Sequence, residues 1–406
     1  MMKKHLMTCA ILAAGMVASL CACSDEDKNV TTGGGADPLS VDYNSANARQ
    51  WGNYMVAVAT LLRMDAANLY DAWTGDTYKG GLNYAERFIR HDGNPYGGAG
   101  DCVLEILGGC IDIANEVGTQ KIGQPYQLYQ SGKTTEALYA VESWFSWHSI
   151  ADYANNIRSI RNACYGSLDG TIHRASLSAL LAAKNADCDA ELRRRIQAAI
   201  AAIESIPDPF RSHIVCRQSE DAMDACVALA DYMEQTVKPY FEAHITDEAE
   251  LNSAIVQYVN GVVVPTYTEL KERNERLYQA VRAFQSAPSD AAFEACAEAW
   301  FNARTPWETS EAFLFGPVAD EGLDPNMDSW PLDAAGITAI LKSGKFQDLE
   351  WSGDYVAEPD EESDDAASLS PEELAKAQKI ANAQNLRGYH TLEFLIFKSG
   401  KARKVN

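Results

Sequence analysis

The stretch ARQWGNYMVAVATLLRMDAANLYDAW, residues 48–73, decides the fold class of this chain. It contains no proline, and its apolar side chains recur at steps of three and four rather than at every second position. These side chains are Trp51, Met55, Val58, Ala59, Leu62, Ala66 and Leu69. Such a period places them on one face, so the stretch predicts one long amphipathic helix with a buried stripe.

The same helical period continues through most of the chain. It covers Leu192 to Ile206, Asp221 to Phe241, Glu248 to Phe284 with an interruption at Pro265, Ser289 to Arg304, and Ala375 to Phe397. Ser289 and Asp290 follow Pro288 and are both typical N-cap residues, which predicts a helix start at this point. Because few segments alternate with a period of two, the sequence predicts an all-α fold with two bundle-like domains.

The composition is that of an acidic globular protein. The chain has 406 residues, enough for two or three domains, and 47% of them are hydrophobic. Its 57 acidic side chains outnumber its 34 basic ones, and the formal net charge is −23. Binding to a phosphate backbone needs an extended surface of clustered Lys and Arg, whereas this chain is acidic overall and has a basic tail only from Lys398 to Lys404. We therefore expect no nucleic-acid partner and a weak preference for cations.

The first residues have the pattern of a targeting segment. Residues 1–22 combine a basic start with an apolar run from Leu6 to Leu20, which has the length of a signal peptide and is short for a membrane span. The sequence LCAC, residues 20–23, resembles the lipobox of bacterial lipoproteins. This resemblance implies cleavage before Cys23 and attachment of acyl chains to that cysteine, hence a membrane anchor. The alternative is a plain secretory signal.

The residues after Cys23 bear on the membrane to which the chain is attached. Ser24, directly after the lipidation site, is typical of lipoproteins of the outer membrane. The acidic run SDED, residues 24–27, resembles an export tag for the cell surface, but a solvated tether has the same composition. The periplasmic face and the cell surface therefore both stay open. Residues 23–42, with three consecutive glycines, predict a flexible lipidated tether.

Seven of the ten cysteines lie downstream of Cys23. Seven is an odd number, so at least one of them is free or paired between chains. No two of them form a CxxC pair, which argues against ribbon-type zinc sites and thioredoxin-like chemistry. We predict that most of them are small buried residues.

The strongest chemical signal is GYHTLE, residues 388–393, inside the last apolar helix. His390 and Glu393 are three residues apart and share one helix face, from which an imidazole and a carboxylate can reach one cation. A surface ion pair is the commoner meaning of this spacing. Here the neighbouring residues are almost all apolar, so the pair is predicted to be partly buried and to need polar partners. Gly388 is costly inside a helix and predicts the close approach of another element.

At these residues the chain resembles the imelysin family, also known as peptidase M75, whose hallmark is GxHxxE. Residues 299–304 (AWFNAR), 309–317 (TSEAFLFGP) and 328–333 (DSWPLD) resemble the run that leads up to this motif. Residues 142–146 (ESWFS), Asp152, Asn155, Asn156 and residues 206–210 (IPDPF) resemble the other half of the family. The matches cover most of Arg49 to Lys398. The resemblance implies an all-helical pair of bundle-like domains with a shared cleft.

The two halves stand in the reverse of the family's usual order, because the ESWFS half comes first and GxHxxE lies near the end of the chain. We interpret this as a circular permutation, which proteins tolerate when the original termini lie close together. The joint is predicted near Ala243 to Asn252. The predicted domains are residues 43–245, resembling the second imelysin half, and residues 246–406, resembling the first half and carrying GxHxxE.

The candidate metal ligands are His390, Glu393 and Glu311, and the candidate cleft residues are Arg304, Asp328, Trp330, Glu142, Ser146 and Gly388. Arg304 and Glu311 are polar positions among aromatic residues, so they line the cleft or form a structural ion pair. Asp328 lines the cleft or belongs only to a helix-initiating turn. Glu142 and Ser146 are four residues apart, which predicts one shared helix face. For Ser146 the alternative is a cap or an internal hydrogen bond.

Three functions compete. The first, implied by the resemblance, is a lipid-anchored protein that binds a metal ion or a metal-containing ligand in the cleft and serves bacterial iron uptake together with iron-transport components. Its ligand types suit Fe, with Zn and Mn as alternatives. The second is a metal-dependent peptidase of the M75 type, although one His and one Glu fall short of the three protein ligands usual for catalytic zinc. The third is a non-catalytic surface module that binds a peptide, haem or a receptor.

Overall fold

The structure is a computed structural model that describes residues 41–93, 95–346, 349 and 382–406. The predicted signal peptide of residues 1–22, the lipidation site Cys23 and almost all of the tether of residues 23–42 lie outside the described residues. Within the described part of the chain, no helix combines the length and the apolar character that crossing a bilayer requires.

Helices make up nearly all of the regular structure in these residues. Helices α1 to α17 are, in chain order, Ala48–Thr74, Tyr84–Arg90, Ala99–Glu116, Gly123–Gln130, Thr134–Ala140, Ser149–Tyr165, Leu177–Lys184, Ala186–Glu204, Arg217–Tyr232, Lys238–His244, Glu248–Tyr258, Val264–Ser286, Asp290–Glu308, Pro317–Asp320, Leu323–Asp328, Ala334–Ser343 and Gly388–Ile396. Short π-helical turns occupy Val117–Lys121, Met233–Val237 and Val259–Val263, and 3₁₀ turns occupy Phe210–Ser212 and Glu311–Phe313. Strands β1 (Phe397–Lys398) and β2 (Lys401–Ala402) pair in an antiparallel hairpin. The all-α prediction is confirmed.

Local chemistry sets the ends of several helices. The backbone N–H of Ala292 donates to Ser289 Oγ at 3.2 Å, so Ser289 caps α13 as predicted. This helix continues to Glu308, four residues beyond the predicted end. The helix predicted from Glu248 to Phe284 is divided by the π-helical turn that precedes Pro265, a residue without an N–H for the helical hydrogen-bond ladder.

The last predicted helix is interrupted. A single helix is predicted from Ala375 to Phe397, and its residues 375–381 lie outside the described residues. Residues 382–384 are helical, residues 385–387 form a turn, and α17 begins at Gly388. Gly388 has a φ of +83°, a left-handed conformation that is incompatible with the interior of a right-handed helix. The single-helix prediction is therefore wrong, because the glycine breaks the helix.

The chain divides into two compact units. The first unit contains Met1–Asp65, Asn274–Phe301 and Asp320–Asn406, and the second contains Ala66–Arg273 and Asn302–Ala319. Segments that are far apart in the sequence thus join in one unit. The predicted domain limits of residues 43–245 and 246–406 refer to the halves of the family and stay a prediction.

The core of the first unit is built around Tyr43. Its ring lies edge-on to those of Trp51, Phe284 and Phe293, with centroids 4.9, 5.8 and 4.8 Å away. Aromatic pairs in this geometry stabilise a core beyond the area that they bury. The first helix therefore docks on α12 and α13 through one buried ring.

The first and last described segments meet beside this core. Tyr43 and Val405 form a parallel β-bridge, and the backbone N–H of Asn406 donates to the carbonyl of Tyr43 at 3.0 Å. The Arg403 guanidinium is buried and donates to the carbonyl of Val41. Residues 41–43 and 403–406 are therefore held side by side.

The second unit is a bundle in which α3, α6, α8 and α9 pack on one another. The cysteines are part of its packing and of the first unit's. All seven downstream of Cys23 are free, six of them buried and Cys216 half-buried, which confirms the prediction. Burial raises the pKa of Cys226 and of Cys296 to about 12, so these thiols stay protonated and unreactive near neutral pH.

Candidate functional site

Five of the predicted site residues lie together in the first unit, and we call them the His390 cluster. They are Asp328, Trp330, Gly388, His390 and Glu393. His390 Nδ1 lies 3.0 Å from Glu393 Oε2, and His390 Nε2 lies 3.1 Å from Asp328 Oδ1. The Trp330 ring stands edge-on to the imidazole at a centroid distance of 4.8 Å. His390 and Glu393 are fully buried, and the Asp328 side chain is 4% exposed.

Two helices bring these side chains together. His390 and Glu393 are one turn apart on α17, as predicted. Gly388 allows α15 to approach this helix, because a Cβ at residue 388 would lie 2.4 Å from the carbonyl oxygen of Met327. Met327 precedes Asp328, the last residue of α15, so the approach brings the Asp328 carboxylate to the imidazole. The close approach predicted at Gly388 is confirmed.

The surroundings of His390 call for a cation. Each ring nitrogen faces a carboxylate oxygen at hydrogen-bonding distance. A neutral imidazole carries one N–H, so without a further proton one of the two contacts would set two lone pairs against each other. If Nδ1–H donates to Glu393, the contact between Nε2 and Asp328 requires a proton or a metal ion between the two atoms.

The donor set fits a transition-metal ion. Imidazole nitrogen and carboxylate oxygen are ligands of Fe, Mn and Zn. Two ligands at right angles with bonds of about 2.1 Å lie about 3.0 Å apart. The distance between His390 Nε2 and Asp328 Oδ1 is 3.1 Å. Glu393 faces the other ring nitrogen, the place of the carboxylates that orient metal-bound histidines.

A second group of charged side chains lies in the second unit, and we call it the Arg304 cluster. It consists of Lys121, Glu142, Asp152, Arg304 and Glu308. Arg304 Nη2 lies 2.8 Å from Glu142 Oε1 and 2.6 Å from Glu308 Oε1, and Arg304 Nε lies 3.6 Å from Asp152 Oδ2. Lys121 Nζ lies 3.1 Å from Glu142 Oε2. Glu142 and Arg304 are thus brought together in a buried ion pair.

Neighbouring polar groups complete the Arg304 cluster. Ser143 Oγ donates to Asp152 Oδ2 at 2.5 Å, and Asn156 Nδ2 donates to Glu308 Oε2 at 2.6 Å. Burial raises the pKa of Asp152, and His148 and Arg304 oppose this effect. Burial lowers the pKa of Lys121, but Glu142 and other acidic groups outweigh it and hold this pKa well above its ordinary value. The cluster therefore offsets the burial of its acids with the buried guanidinium of Arg304 and with the Lys121 ammonium, whose side chain is 10% exposed.

Glu311 lies beside this cluster, on a 3₁₀ turn, and is 7% exposed. Carboxylate oxygens of Glu311 and Glu308 lie within 4.8 Å of each other. The turn is fixed by two neighbours. A Cβ at Gly109 of α3 would lie 2.2 Å from the Ala312 carbonyl oxygen, and the Ala312 N–H donates to Ser159 Oγ at 3.0 Å. The absence of a side chain at Gly109 thus determines where the Glu311 carboxylate lies.

Ser146 differs from the prediction. Residues 141–147 form a series of turns rather than a helix, so Glu142 and Ser146 share no helix face. The chain turns at Ser143 and Trp147, whose φ values are +53° and +63°. Ser146 is buried and donates to the carbonyl of Ser143 at 3.4 Å, which is the internal hydrogen bond considered as its alternative role.

Three members of the Arg304 cluster are not among the candidates found in the sequence. Glu308 follows Arg304 by four residues and shares its helix face, a spacing that could have revealed it. Asp152 stands in a segment that carries the family resemblance, but its burial against Arg304 depends on tertiary packing. Lys121 lies at the end of a π-helical turn, and no sequence pattern marks it.

Comparisons with known proteins connect both clusters to one family. A family model described as imelysin, Peptidase_M75, matches residues 32–238 and 263–406. The gap between the matched segments includes the joint predicted near Ala243 to Asn252. The reversed order of the two halves stays a prediction.

Two relatives are similar to this chain. An imelysin peptidase from Bacteroides ovatus, known from a crystal structure, has 51% sequence identity to this chain. The TM-score is 0.83, and the match covers 91% of this chain and 100% of that chain. The Iron-regulated protein A of Synechococcus elongatus is 41% identical over 103 residues, which are 25% of this chain. The match spans 28% of the length of that relative.

Proposed function

Because this chain belongs to the imelysin family, we propose that it binds a transition-metal ion through the His390 cluster. In this proposal His390 Nε2 and Asp328 are ligands, and Glu393 orients the imidazole through Nδ1. We propose separately that Glu311, the further candidate ligand from the sequence, also binds the ion, and its own variant tests this part of the proposal. A bound ion would supply the positive charge that the contact between Nε2 and Asp328 requires.

One observation carries the proposal. A fully buried imidazole has a carboxylate oxygen 3.0 Å from one ring nitrogen and another 3.1 Å from the other. Burying three ionisable groups away from water is costly unless they are paired or coordinate a metal. A single hydrogen bond would be enough if His390 had only a structural role. Two carboxylates on opposite sides of the ring, Glu393 at Nδ1 and Asp328 at Nε2, favour a cation at Nε2.

We propose iron as the physiological ion. The ligand types suit Fe, Zn and Mn alike, so they do not select among these metals. Support for iron comes from the relative named Iron-regulated protein A. Binding of any of them would replace the proton that the contact between Nε2 and Asp328 otherwise needs, because a metal ligand must be deprotonated.

The experiment is metal analysis of the purified protein and of single variants. We expect about one ion per chain in the wild type, loss of the ion in His390→Ala, and 10- to 100-fold weaker binding in Glu393→Gln, the usual effect of removing an orienting carboxylate. Glu311→Gln reports whether Glu311 is a ligand. His244→Ala, a histidine on α10 in the second unit, is the matched control. Equal metal content in wild type and His390→Ala would remove the proposed site.

We also propose that the chain is an outer-membrane lipoprotein, anchored through Cys23 at the periplasmic face or the cell surface, and that it passes iron to transport components. The lipobox-like residues 20–23 support the anchor. Cys23→Ser is expected to move the protein from the membrane fraction to the soluble fraction, with Cys21→Ser as the control. Equal membrane retention of both variants would contradict the anchor.

A metal-dependent peptidase is the second candidate function, and the Bacteroides ovatus relative named an imelysin peptidase favours it. Catalytic zinc usually has three protein ligands and an open position for water. In the His390 cluster, Glu393 is engaged with Nδ1. Incubation with an unfolded protein substrate, with and without a chelator, separates the two functions, and chelator-sensitive cleavage that His390→Ala abolishes would favour the peptidase.

A further inference from the structure

The segment that leads into α17 is attached to α1 by two partly buried contacts. The hydroxyl of Tyr54 donates to the carbonyl of Leu386 at 2.5 Å. The guanidinium of Arg387 donates to Asp65 Oδ2. Tyr54 and Asp65 are eleven residues apart, about three helical turns, so they project from one face of α1. Arg387 is 3% exposed, and the Asp65 side chain is 13% exposed.

These contacts act on the turn that carries the imidazole. Arg387 is the N-cap residue of α17, and its own side chain makes no capping hydrogen bond. His390 follows it by three residues, less than one helical turn. Tyr389, which directly precedes His390, is held by Trp300 Nε1, which donates to its carbonyl at 2.9 Å, and by Asn274 Nδ2, which donates to its hydroxyl at 2.8 Å. Several contacts thus fix the rotation of the first turn of α17, and the pair of Asp65 and Arg387 contributes opposite charges at the start of this helix.

We propose that Asp65, acting through Arg387, is a positioning residue for the His390 cluster. The carboxylate of Asp65 holds the guanidinium, the guanidinium holds the start of α17, and the start of α17 sets where His390 Nε2 lies relative to Asp328. Asp65 lies 322 positions before Arg387 in the sequence and outside every motif that carries the family resemblance. This inference rests on the proposed function, since it assigns Asp65 to the same metal site.

Asp65→Asn is the first test. It removes the charge that faces Arg387 and keeps the size of the side chain. We expect a loss of at least tenfold in affinity for Mn²⁺, measured calorimetrically with the metal alone. We also expect a shift of the His390 ring nitrogen resonances in NMR spectra of the metal-free protein, with the assignment made by His390→Gln. A purely structural role for Asp65 would lower the melting temperature without moving these ring resonances.

Three further variants complete the test. Asp42→Asn is the matched control, because Asp42 pairs with Lys398 just after the other end of α17, at the surface and 2.9 Å away, and no change in Mn²⁺ affinity is expected. Asp65→Glu keeps the charge and is expected to bind Mn²⁺ within about threefold of wild type. The double variant Asp65→Leu with Arg387→Met removes both charges of this pair and leaves neither of them unpaired, so it should fold even where Asp65→Asn does not. It should show the same affinity loss.

The outcomes separate the inference from the proposed function. Unchanged Mn²⁺ affinity and unchanged His390 ring resonances in Asp65→Asn, or in the double variant if Asp65→Asn does not fold, would overturn the role of Asp65. Failure of the wild type to bind Mn²⁺, Fe²⁺ or Zn²⁺ would overturn the proposed function. In that case the ring resonances of the metal-free variants still decide whether Asp65 positions His390.

Discussion

Gly388→Ala tests how the His390 cluster is assembled. The new Cβ would lie 2.4 Å from the carbonyl oxygen of Met327 and 2.8 Å from its carbonyl carbon. Ordinary van der Waals contacts of a Cβ atom begin at 3.4 Å. Because these are backbone atoms, no side chain can turn away, and α15 must move by about 1 Å. The residue would also keep a φ near +83°, which L-residues other than Asn and Asp rarely adopt.

The expected cost has two parts. The left-handed conformation costs an alanine about 1–2 kcal/mol. Forcing packed backbone apart costs typically about 1–3 kcal/mol more. We therefore expect Gly388→Ala to lower the free energy of unfolding by about 2–5 kcal/mol, measured as the shift of the thermal transition. Because α15 ends in Asp328, the same shift should separate this carboxylate from His390 and weaken metal binding at least tenfold.

Gly344→Ala is the matched control for the backbone conformation. Gly344 has a φ of +69° at the end of α16 in the same unit, but its added Cβ would approach only the flexible end of the Gln50 side chain, at 3.1 Å. We expect about 1–2 kcal/mol of destabilisation and unchanged metal affinity. Equal destabilisation by the two substitutions would refute the steric argument. Unchanged metal affinity in a destabilised Gly388→Ala would refute the link between the close approach and the site.

Three further predictions concern the charges and the packing around the two clusters. Burial raises the pKa of Asp65 from 3.8 to about 6, against the opposing effect of Arg387, so the folded protein binds more protons than the unfolded chain. The contribution of Asp65 to stability is therefore complete below pH 3.8 and lost as the pH rises through 6, a change of about 3 kcal/mol in unfolding free energy. Denaturation at pH 4 to 7 should show that the unfolding free energy falls less steeply with pH in Asp65→Asn than in the wild type. Equal slopes would contradict the assignment. Arg304→Met should lower the free energy of unfolding by about 3–5 kcal/mol, because it leaves the buried acids of its cluster without their guanidinium. The control Arg217→Met removes one partner of an exposed ion pair and should lower it by less than about 1 kcal/mol. Similar melting temperatures for the two variants would contradict this. Gly109→Ala should destabilise the protein, because its new Cβ would clash with the Ala312 carbonyl. Gly108→Ala lies in the same helix, and its new Cβ would have no neighbour within 4 Å, so it should stabilise the protein by about 0.5–1 kcal/mol. Thermal melts compare the two variants, and stabilisation by both would contradict the close approach.

Patterns that repeat along the chain predict the fold well. The three- and four-residue spacing of apolar side chains in residues 48–73 predicts a long helix, and the helix is Ala48–Thr74. GYHTLE predicts a partly buried pair of His390 and Glu393, because both the spacing and the apolar neighbours are local information, and the structure buries the pair fully. Helix ends depend on fewer residues, yet Ser289 shows that a single capping side chain can mark one.

Features that depend on tertiary contacts are not predicted. Gly388 is correctly associated with a close approach, but the sequence does not show that its left-handed φ ends the preceding helical pattern. Helical spacing fails at Ser146, since left-handed residues fold its segment into turns. Lys121 and Asp65 belong to no motif, because their roles follow from partners that are 21 and 322 residues away in the sequence.

The pairing of Tyr43 with Val405 has a practical consequence for labelling. A fluorescent protein or affinity tag fused after Asn406 would emerge beside residues 41–43, because residues 403–406 lie against them. Such a fusion would crowd this edge of the first unit and put strain on the bridge between Tyr43 and Val405. An insertion in the exposed turn at Gly132 leaves the pairing of residues 41–43 with residues 403–406 untouched and is the better position for a reporter.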